Sequence, residues 1–326
     1  MPLLARTSAK TLAQTPARRG ARDAVLALTP PDGAANLATA AGEMRSHSRT
    51  SVLDQCANTG CRSGWLRLWR NRTGPVFEGG WTCSAACTEA HIAAAVAREC
   101  EGREAIRQPH RHRVPIGLVL LEQGWITKDQ LRRALDAQKA AGAGRVGQWL
   151  LEQSALEEER LTRAMGLQWS CPVLSIEHFD PTVLTGVMPR LFVDAFGALP
   201  LRLAANRLVY LGFEDSLDPV LALGLERMSG LRVETGLVHG SRFRPAHARM
   251  LDARFPPVDL IEAASPAAAA HALARSVERA RPGAARLVRV HDCLWLRMWE
   301  RAGEAAVGAT GTVRDLVCSI GPVAGL

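Results

Sequence analysis

Apolar and polar positions between residues 113 and 168 follow one pattern that occurs twice. Placed over each other, the segments 115–138 and 145–168 are identical at nine of 24 positions. In each copy a short apolar stretch precedes a turn. A second stretch then carries apolar residues four apart, with a glutamine on the same face. The pattern predicts two short helices per copy, and the duplication predicts a unit of four helices.

The two copies differ in the turn between their helices. In the first copy Gly124 provides the break, and Thr127 with Gln130 forms a capping box that begins the second helix. In the second copy Ser154 and Glu157 stand at these places. We therefore expect a turn that is less strongly specified there.

Residues 169–254 mix strand and helix patterns, which predicts a small α+β subdomain with helices on one face of a sheet. The expected elements are a strand at 172–176, a helix or pair of turns at 181–196, a hairpin of 198–203 with 207–213, a helix at 218–228, a strand at 231–238 and a last helix at 244–254.

The remaining residues, 255–326, predict a linker, a helix that ends near Pro282, and a terminal hairpin or helix–strand pair. Pro256, Pro257 and the alanine-rich stretch 263–270 are the expected linker. In the hairpin Trp295 and Trp299 share one side. Such a pair can form a partner surface but is more typical of packing.

Four cysteines in the segment 51–100 have a spacing that suggests a metal site: Cys56, Cys61, Cys83 and Cys87. Between the two pairs, 65–70 and 75–80 predict the strands of a hairpin, and Thr82 or Ser84 can begin a helix that presents the second pair on one face. A knuckle, a hairpin and a helix start are the layout of a treble-clef zinc site closed by four thiolates.

Redox or catalytic thiols, or four buried thiols, are the alternatives to this interpretation. We favour structural zinc because so small a segment has little apolar mass with which to fold unaided. His91 follows Cys87 on the same helix face and is either a reserve ligand or a packing residue. The other cysteines share no spacing and are expected in the core: Cys100, Cys171, Cys293 and Cys318.

Composition adds limits to this picture. The 326 residues carry a net charge of +8, but residues 1–50 hold seven Lys/Arg and three Asp/Glu, so +4 of the excess lies there. That tail lacks periodicity, and we expect it to be disordered or to follow from an over-extended start of translation before Met44.

No concentrated basic face is visible elsewhere, which argues against a nucleic-acid partner. Without an apolar run long enough to span a bilayer, and without a secretory signal, we expect a cytoplasmic protein with no membrane insertion.

Residues 113 to about 251 resemble the N-terminal domain of type II secretion and type IV pilus assembly ATPases of the GspE and MshE kind. The family's pattern R-L-G-x-x-L-V-x-x-G-L, ending in L-x-x-Q, appears twice, and the segments 167–172, 199–201 and 206–210 echo its second subdomain. The stretch Cys83–Cys87 is similar to small treble-clef fingers of the TRASH and MYM kind. The expected fold is α+β and multidomain: a small zinc finger, a four-helix repeat and a small α+β subdomain.

The resemblance implies a site for cyclic di-GMP. In the family the tandem motif binds this dinucleotide, with an arginine able to stack on guanine and pair with phosphate. The second motif carries over as Arg145, Gly147, Leu150, Leu151 and Gln168. The first carries over as Gly117, Leu120, Leu121, Gly124 and Gln138. The first motif's arginine is Pro115 here and the second motif's inner glycine is Ser154, so Arg113 or Arg111 would have to compensate.

The family's ATPase has no counterpart in this sequence, since the phosphate-binding P-loop motif G-x-x-x-x-G-K-[ST] does not occur. We therefore expect a protein that is not an enzyme: a regulatory or adaptor protein that senses cyclic di-GMP and contacts another protein. A ligand-free interaction module of a secretion or pilus system is the first alternative. A zinc-finger protein that binds nucleic acid is the second.

Overall fold

The computed structural model describes residues 56–62, 74–101, 113–204, 207–301 and 313–321. The expected disordered tail 1–50 and the expected strand 65–70 lie outside these ranges. Within them, no helix is both long and apolar enough to cross a lipid bilayer.

Four helices form the repeat, as the duplicated pattern predicts: α2 (Ile116–Glu122), α3 (Lys128–Ala141), α4 (Val146–Glu152) and α5 (Glu158–Trp169). The capping box before α3 is confirmed, with both the Thr127 and Gln130 side chains bonded to each other's backbone. Gly124 has a φ of 68°, and Ser154 repeats this left-handed conformation with a φ of 50°. Glu157 makes no side-chain cap bond, so the second turn is the weaker one.

Glycines allow the helices of each copy to approach closely. A Cβ on Gly117 would lie 2.8 Å from Leu131 Cδ1, and one on Gly147 would lie 2.9 Å from Leu161 Cδ1. Helix α2 packs with α5, and α3 with α4, so the copies interlock. Their shared core is apolar, with Leu120 and Leu150 fully buried.

The expected α+β subdomain follows the repeat. Its elements are α6 (Pro181–Leu184), α7 (Arg190–Ala195), β3 (Ala198–Ala204), β4 (Leu208–Phe213), α8 (Pro219–Ser229), β5 (Arg232–Leu237) and α9 (Gly240–Leu251). β3 pairs antiparallel with β4, and β4 parallel with β5. The expected strand 172–176 is wrong: only Val173 forms a bridge, to Leu237. At this edge of the subdomain the segment makes one pair of backbone hydrogen bonds to Leu237 of β5 instead of a continuous β-ladder.

The expected linker 255–270 is wrong. The chain instead forms β6 (Val258–Ala263), α10 (Pro266–Ala280), β7 (Ala284–Val290), β8 (Cys293–Trp299) and β9 (Val313–Ile320), with sheet order β6-β9-β8-β7. Ser265 caps α10 and Pro266 takes its first position. The alanines are helical because alanine has the highest helix propensity and fits a tight helix contact. Strand β6, in contrast, depends on pairing with β9, which lies far away along the chain.

Strands β7, β8 and β9 of this C-terminal sheet are mostly buried on both faces. Its Leu294, Leu296 and Met298 side packs with α10 and with α1 (Ala85–Glu101) in one core. Trp295 and Trp299, 0% and 5% exposed, belong to the core of the α+β subdomain on the other side. The two tryptophans therefore pack internally and form no partner surface.

An ion pair is buried where the C-terminal sheet packs against the α+β subdomain. Arg297 and Asp315, 2% and 1% exposed, face each other across β8 and β9, with Nε to Oδ1 and Nη2 to Oδ2 both at 2.7 Å. Arg297 Nη1 also donates to the carbonyls of Gly186 and Val187, and Trp295 Nε1 donates to Asp315. The Arg297 guanidinium thus makes four hydrogen bonds, and such pairing is the condition for a buried charge pair to persist.

Replacing Asp315 with alanine should lower the free energy of unfolding by about 3–5 kcal/mol, because it leaves a buried guanidinium without its carboxylate. Urea denaturation followed by circular dichroism measures the change. The control Asp259→Ala removes an exposed carboxylate from β6 of the same sheet and should cost less than about 0.5 kcal/mol. Equal losses in the two variants would contradict the structural role of the pair.

Gly147→Ala should lower the free energy of unfolding by about 1–3 kcal/mol, because the buried Leu161 lies where the new methyl group must go. This loss exceeds the gain in helix propensity. Thermal and urea denaturation provide the measurement. Gly186→Ala is the matched control, since a Cβ there meets nothing within 4 Å. A neutral Gly147→Ala would show that the glycine is not needed for packing.

Candidate functional site

The four cysteines of the expected metal site lie together. All four Sγ atoms are within 4.8 Å of one another, with Cys83 3.5 Å from both Cys61 and Cys87. Cys56 and Cys61 flank a short knuckle, Cys83 follows β2 (Gly80–Trp81), and Cys87 lies in the first turn of α1. Ser84 precedes α1, and its Oγ accepts a hydrogen bond from Cys87 N. The sulfur tetrad is therefore positioned by a turn, a strand end and a helix start.

The donor set fits a tetrahedral zinc ion. Zn–S bonds of about 2.3 Å put tetrahedral sulfur atoms about 3.8 Å apart, close to the separations found here. In the protein alone, burial and hydrogen bonds with Cys61 and Cys87 raise the pKa of Cys83 to about 12. Burial also acts to raise the pKa of Cys87, but hydrogen bonds with Ser84 and Asn58 outweigh it and lower that pKa. His91 is not in the tetrad, and its ring instead meets Phe77 edge-on.

A small hairpin carries the tetrad, but it differs from the expected one. Instead of one strand at 75–80, β1 (Val76–Phe77) turns at Glu78 and Gly79 and pairs with β2. Both turn residues have positive φ, 48° and 76°, which produces the tight reversal. The hairpin also hydrogen-bonds the C-terminal sheet through Glu78 N and Ala285 O at 2.8 Å.

Helix α1 is fixed at its far end by a buried carboxylate. Glu99 accepts two hydrogen bonds from Arg227 of α8, at 2.5 and 2.9 Å, and one from Arg289 N of β7. Burial by itself would raise the pKa of Glu99, but the Arg227 guanidinium and the Arg289 backbone outweigh it and hold the pKa below its ordinary value. The helix that begins at the tetrad thus ends in contact with the α+β subdomain and the C-terminal sheet.

Arg145 is an exposed member of the expected dinucleotide site. It is the N-cap residue of α4, and its side chain is 72% exposed. Its Nη1 lies 2.8 Å from Oδ2 of Asp215, a residue of the α+β subdomain that is itself 51% exposed. An exposed pair of this kind contributes about 0–1 kcal/mol, so the guanidinium is easily available to another anion.

A shallow depression of about 500 Å³ lies directly before Arg145. It is lined by Leu135, Gln138, Lys139, Gly142, Ala143 and Gly144. Leu135 is 44% exposed and provides apolar surface, and Lys139 provides a cation. The volume is within the range of small-ligand sites.

Other expected site residues serve the repeat itself in this structure. Gly117, Gly147, Leu120 and Leu150 are buried in its core, and Leu121 and Leu151 are half-buried. Gly124 is exposed in its turn. The side chains of Gln138 and Gln168 each donate to a backbone carbonyl of the repeat. Arg113 stacks on Trp169, with Cζ 3.1 Å from the ring centroid. Arg111 lies outside the described residues.

Several contributing residues were not expected from the sequence. Leu135 stands in the copied segment and Lys139 directly follows it, so comparing the two copies and their flanking residues position by position could have indicated them. Asp215 and Arg227 carry no local signal, because each meets a partner from a distant part of the chain.

No family model matches the chain. Among curated proteins, Bacteriophage adsorption protein B of Escherichia coli K12 is 33% identical over 144 residues, which cover 41% of this chain and 19% of that protein. Type IV pilus assembly ATPase PilB of Myxococcus xanthus DK1622 is 24% identical over 146 residues, which cover 44% of this chain and 25% of that protein. The matches thus span between about a fifth and a quarter of these relatives.

Among solved structures, MshE with cdg aligns at 24% identity and a TM-score of 0.35, over 42% of this chain and 99% of that one. The N-terminal domain of XpsE aligns at 17% identity and a TM-score of 0.31, over 41% and 92%. The resemblance expected from the repeat is confirmed: a part of this chain is similar to a part of a type IV pilus assembly ATPase.

Proposed function

We propose that this protein is a non-catalytic regulatory or adaptor protein of a secretion or pilus system, whose repeat binds cyclic di-GMP. The observation that supports the proposal best is the exposed guanidinium of Arg145 beside the depression at Leu135–Gly144. Arg145 and the depression together provide an arginine, a lysine and apolar surface within one small region.

The charges in this region suit a phosphodiester. Arg145 gives up little when it leaves Asp215, because an exposed ion pair is screened by water and salt. Phosphate accepts two hydrogen bonds from one guanidinium, and a charge-assisted pair is stronger than a neutral one. Lys139 precedes Gly142–Gly144 in the chain and lines the same depression, where it adds a second cation.

Calorimetric titration with cyclic di-GMP should release or absorb heat at ligand concentrations up to millimolar, with a rise in melting temperature. Arg145→Ala should weaken the affinity by at least about tenfold, because it removes the charge-assisted contact. Arg132→Ala is the matched control: it removes one exposed arginine of the same repeat, 74% exposed on α3, and should leave the affinity unchanged. No heat and no thermal shift with the wild-type protein would rule out the sensor.

A ligand-free interaction module is the second candidate, and one observation favours it. Val114, Leu118 and Leu167 are each more than half exposed. They lie where α2 and α5 meet, since Gln168 bonds the carbonyl of Val114. Exposed apolar side chains that adjoin one another are typical of protein contacts. A partner whose capture is lost when Leu118 and Leu167 are replaced by serine, and is indifferent to the nucleotide, would support this candidate over the sensor.

The sulfur tetrad is proposed to hold one structural zinc ion through Cys56, Cys61, Cys83 and Cys87. Zinc would join the knuckle, the hairpin and α1 at the tetrad. Four thiolates fill all tetrahedral positions, leaving none for a substrate, so the role is structural.

Protein purified under reducing conditions should contain about one zinc per chain, and a chelator should lower its melting temperature by several degrees, because binding energy at such a site is folding energy. Metal analysis and thermal scans test both. Cys83→Ser should lose the metal, whereas Cys171→Ser, a half-buried cysteine outside the tetrad, should retain it. A metal-free wild type with an unchanged melting temperature would contradict the proposal.

A further inference from the structure

The two copies of the repeat are tied together by a reciprocal pair of hydrogen bonds. Gln138 Nε2 donates to the carbonyl of Gly144 at 2.7 Å, and Gln168 Nε2 donates to the carbonyl of Val114 at 2.6 Å. The two donors stand at the same position of their copies, and so do the two acceptors. The repeat therefore has two equivalent corners related by the duplication: the Gln138 corner and the Gln168 corner.

The two corners are filled differently. At the Gln168 corner Arg113 lies over the ring of Trp169, with Cζ 3.1 Å from the ring centroid. The residues at the same places in the Gln138 corner are Ala143 and Lys139, which cannot form such a stack, and the 500 Å³ depression lies there. One corner is thus covered by the chain's own guanidinium on an aromatic ring, and the other is open.

The chemistry of the open corner defines what it accepts. Leu135 presents an apolar surface and Lys139 a positive charge at its edge. A planar ring that carries an anionic group, such as a nucleotide, satisfies both. At the other corner the Trp169 ring offers a better stacking surface, but Arg113 occupies it through a cation–π contact.

We propose that the Arg113–Trp169 stack covers a second half-site for the same ligand. In this state the chain takes one nucleotide unit at the Gln138 corner, and the second ring of a dinucleotide binds only after Arg113 leaves Trp169. This inference rests on the proposed function, and it makes Arg113 a residue that limits affinity instead of one that supplies it.

Calorimetry with guanosine 5′-monophosphate and with cyclic di-GMP tests the inference on the full chain. Wild-type protein should bind about one mononucleotide, and the dinucleotide no more than about tenfold more tightly. In Arg113→Ala the mononucleotide stoichiometry should rise to about two, and the affinity for the dinucleotide should rise at least about tenfold, because a base can then stack on Trp169.

Arg163→Ala is the control, since it removes an exposed arginine of α5 and leaves the Arg113–Trp169 stack in place; it should behave as wild type. Unchanged stoichiometry and affinity in Arg113→Ala would overturn the inference. So would a loss of affinity, which would make Arg113 a ligand contact, and both results would leave the proposed function standing. If neither nucleotide binds either protein, the proposed function fails and this inference with it.

Discussion

The buried pair of Arg297 and Asp315 is the interaction on which the arrangement of this protein depends. It lies on a sheet whose two faces belong to two different cores, and it reaches across to the backbone at Gly186 and Val187. Charges at this depth are tolerated only when they are paired and hydrogen-bonded, as this pair is. The network therefore fixes the C-terminal sheet against the α+β subdomain in one orientation, since a shifted sheet would leave the guanidinium unpaired.

Helix α1 extends this arrangement to the cysteine tetrad. One face of the helix packs on the C-terminal sheet, its last turn holds Glu99 against Arg227, and its first turn carries Cys87. An ion bound at the tetrad would thus stabilise the start of a helix whose remaining length is already packed. For this reason the tetrad is better described as the end of the C-terminal unit than as an independent finger.

The repeat is stabilised in a different way from the C-terminal sheet. Seven-residue helices such as α2 and α4 are too short to be stable alone, and the exchange of Gln138 and Gln168 between copies joins them into one closed unit. Glycine, leucine and glutamine positions of the motif are used for this packing. The copies differ at Arg145 and Lys139 on one side and at Arg113 with Trp169 on the other, and none of these four residues is fully buried. Any ligand chemistry of the repeat therefore depends on residues outside its shared core.

The sequence by itself determined the local features: four helices in two copies, the capping box at Thr127, the stronger and weaker turns, and the grouping of four cysteines. Each depends on residues that are close together in the chain, where periodicity and turn chemistry act directly. It did not determine that the expected linker 255–270 would contain a strand and the start of a helix, because β6 is defined by pairing with β9. Nor could it place Asp215 beside Arg145, Arg227 beside Glu99 or Arg297 beside Gly186. Only the tertiary structure decided these contacts, because a charge finds its partner through packing, and packing distances are not readable from separation along the chain.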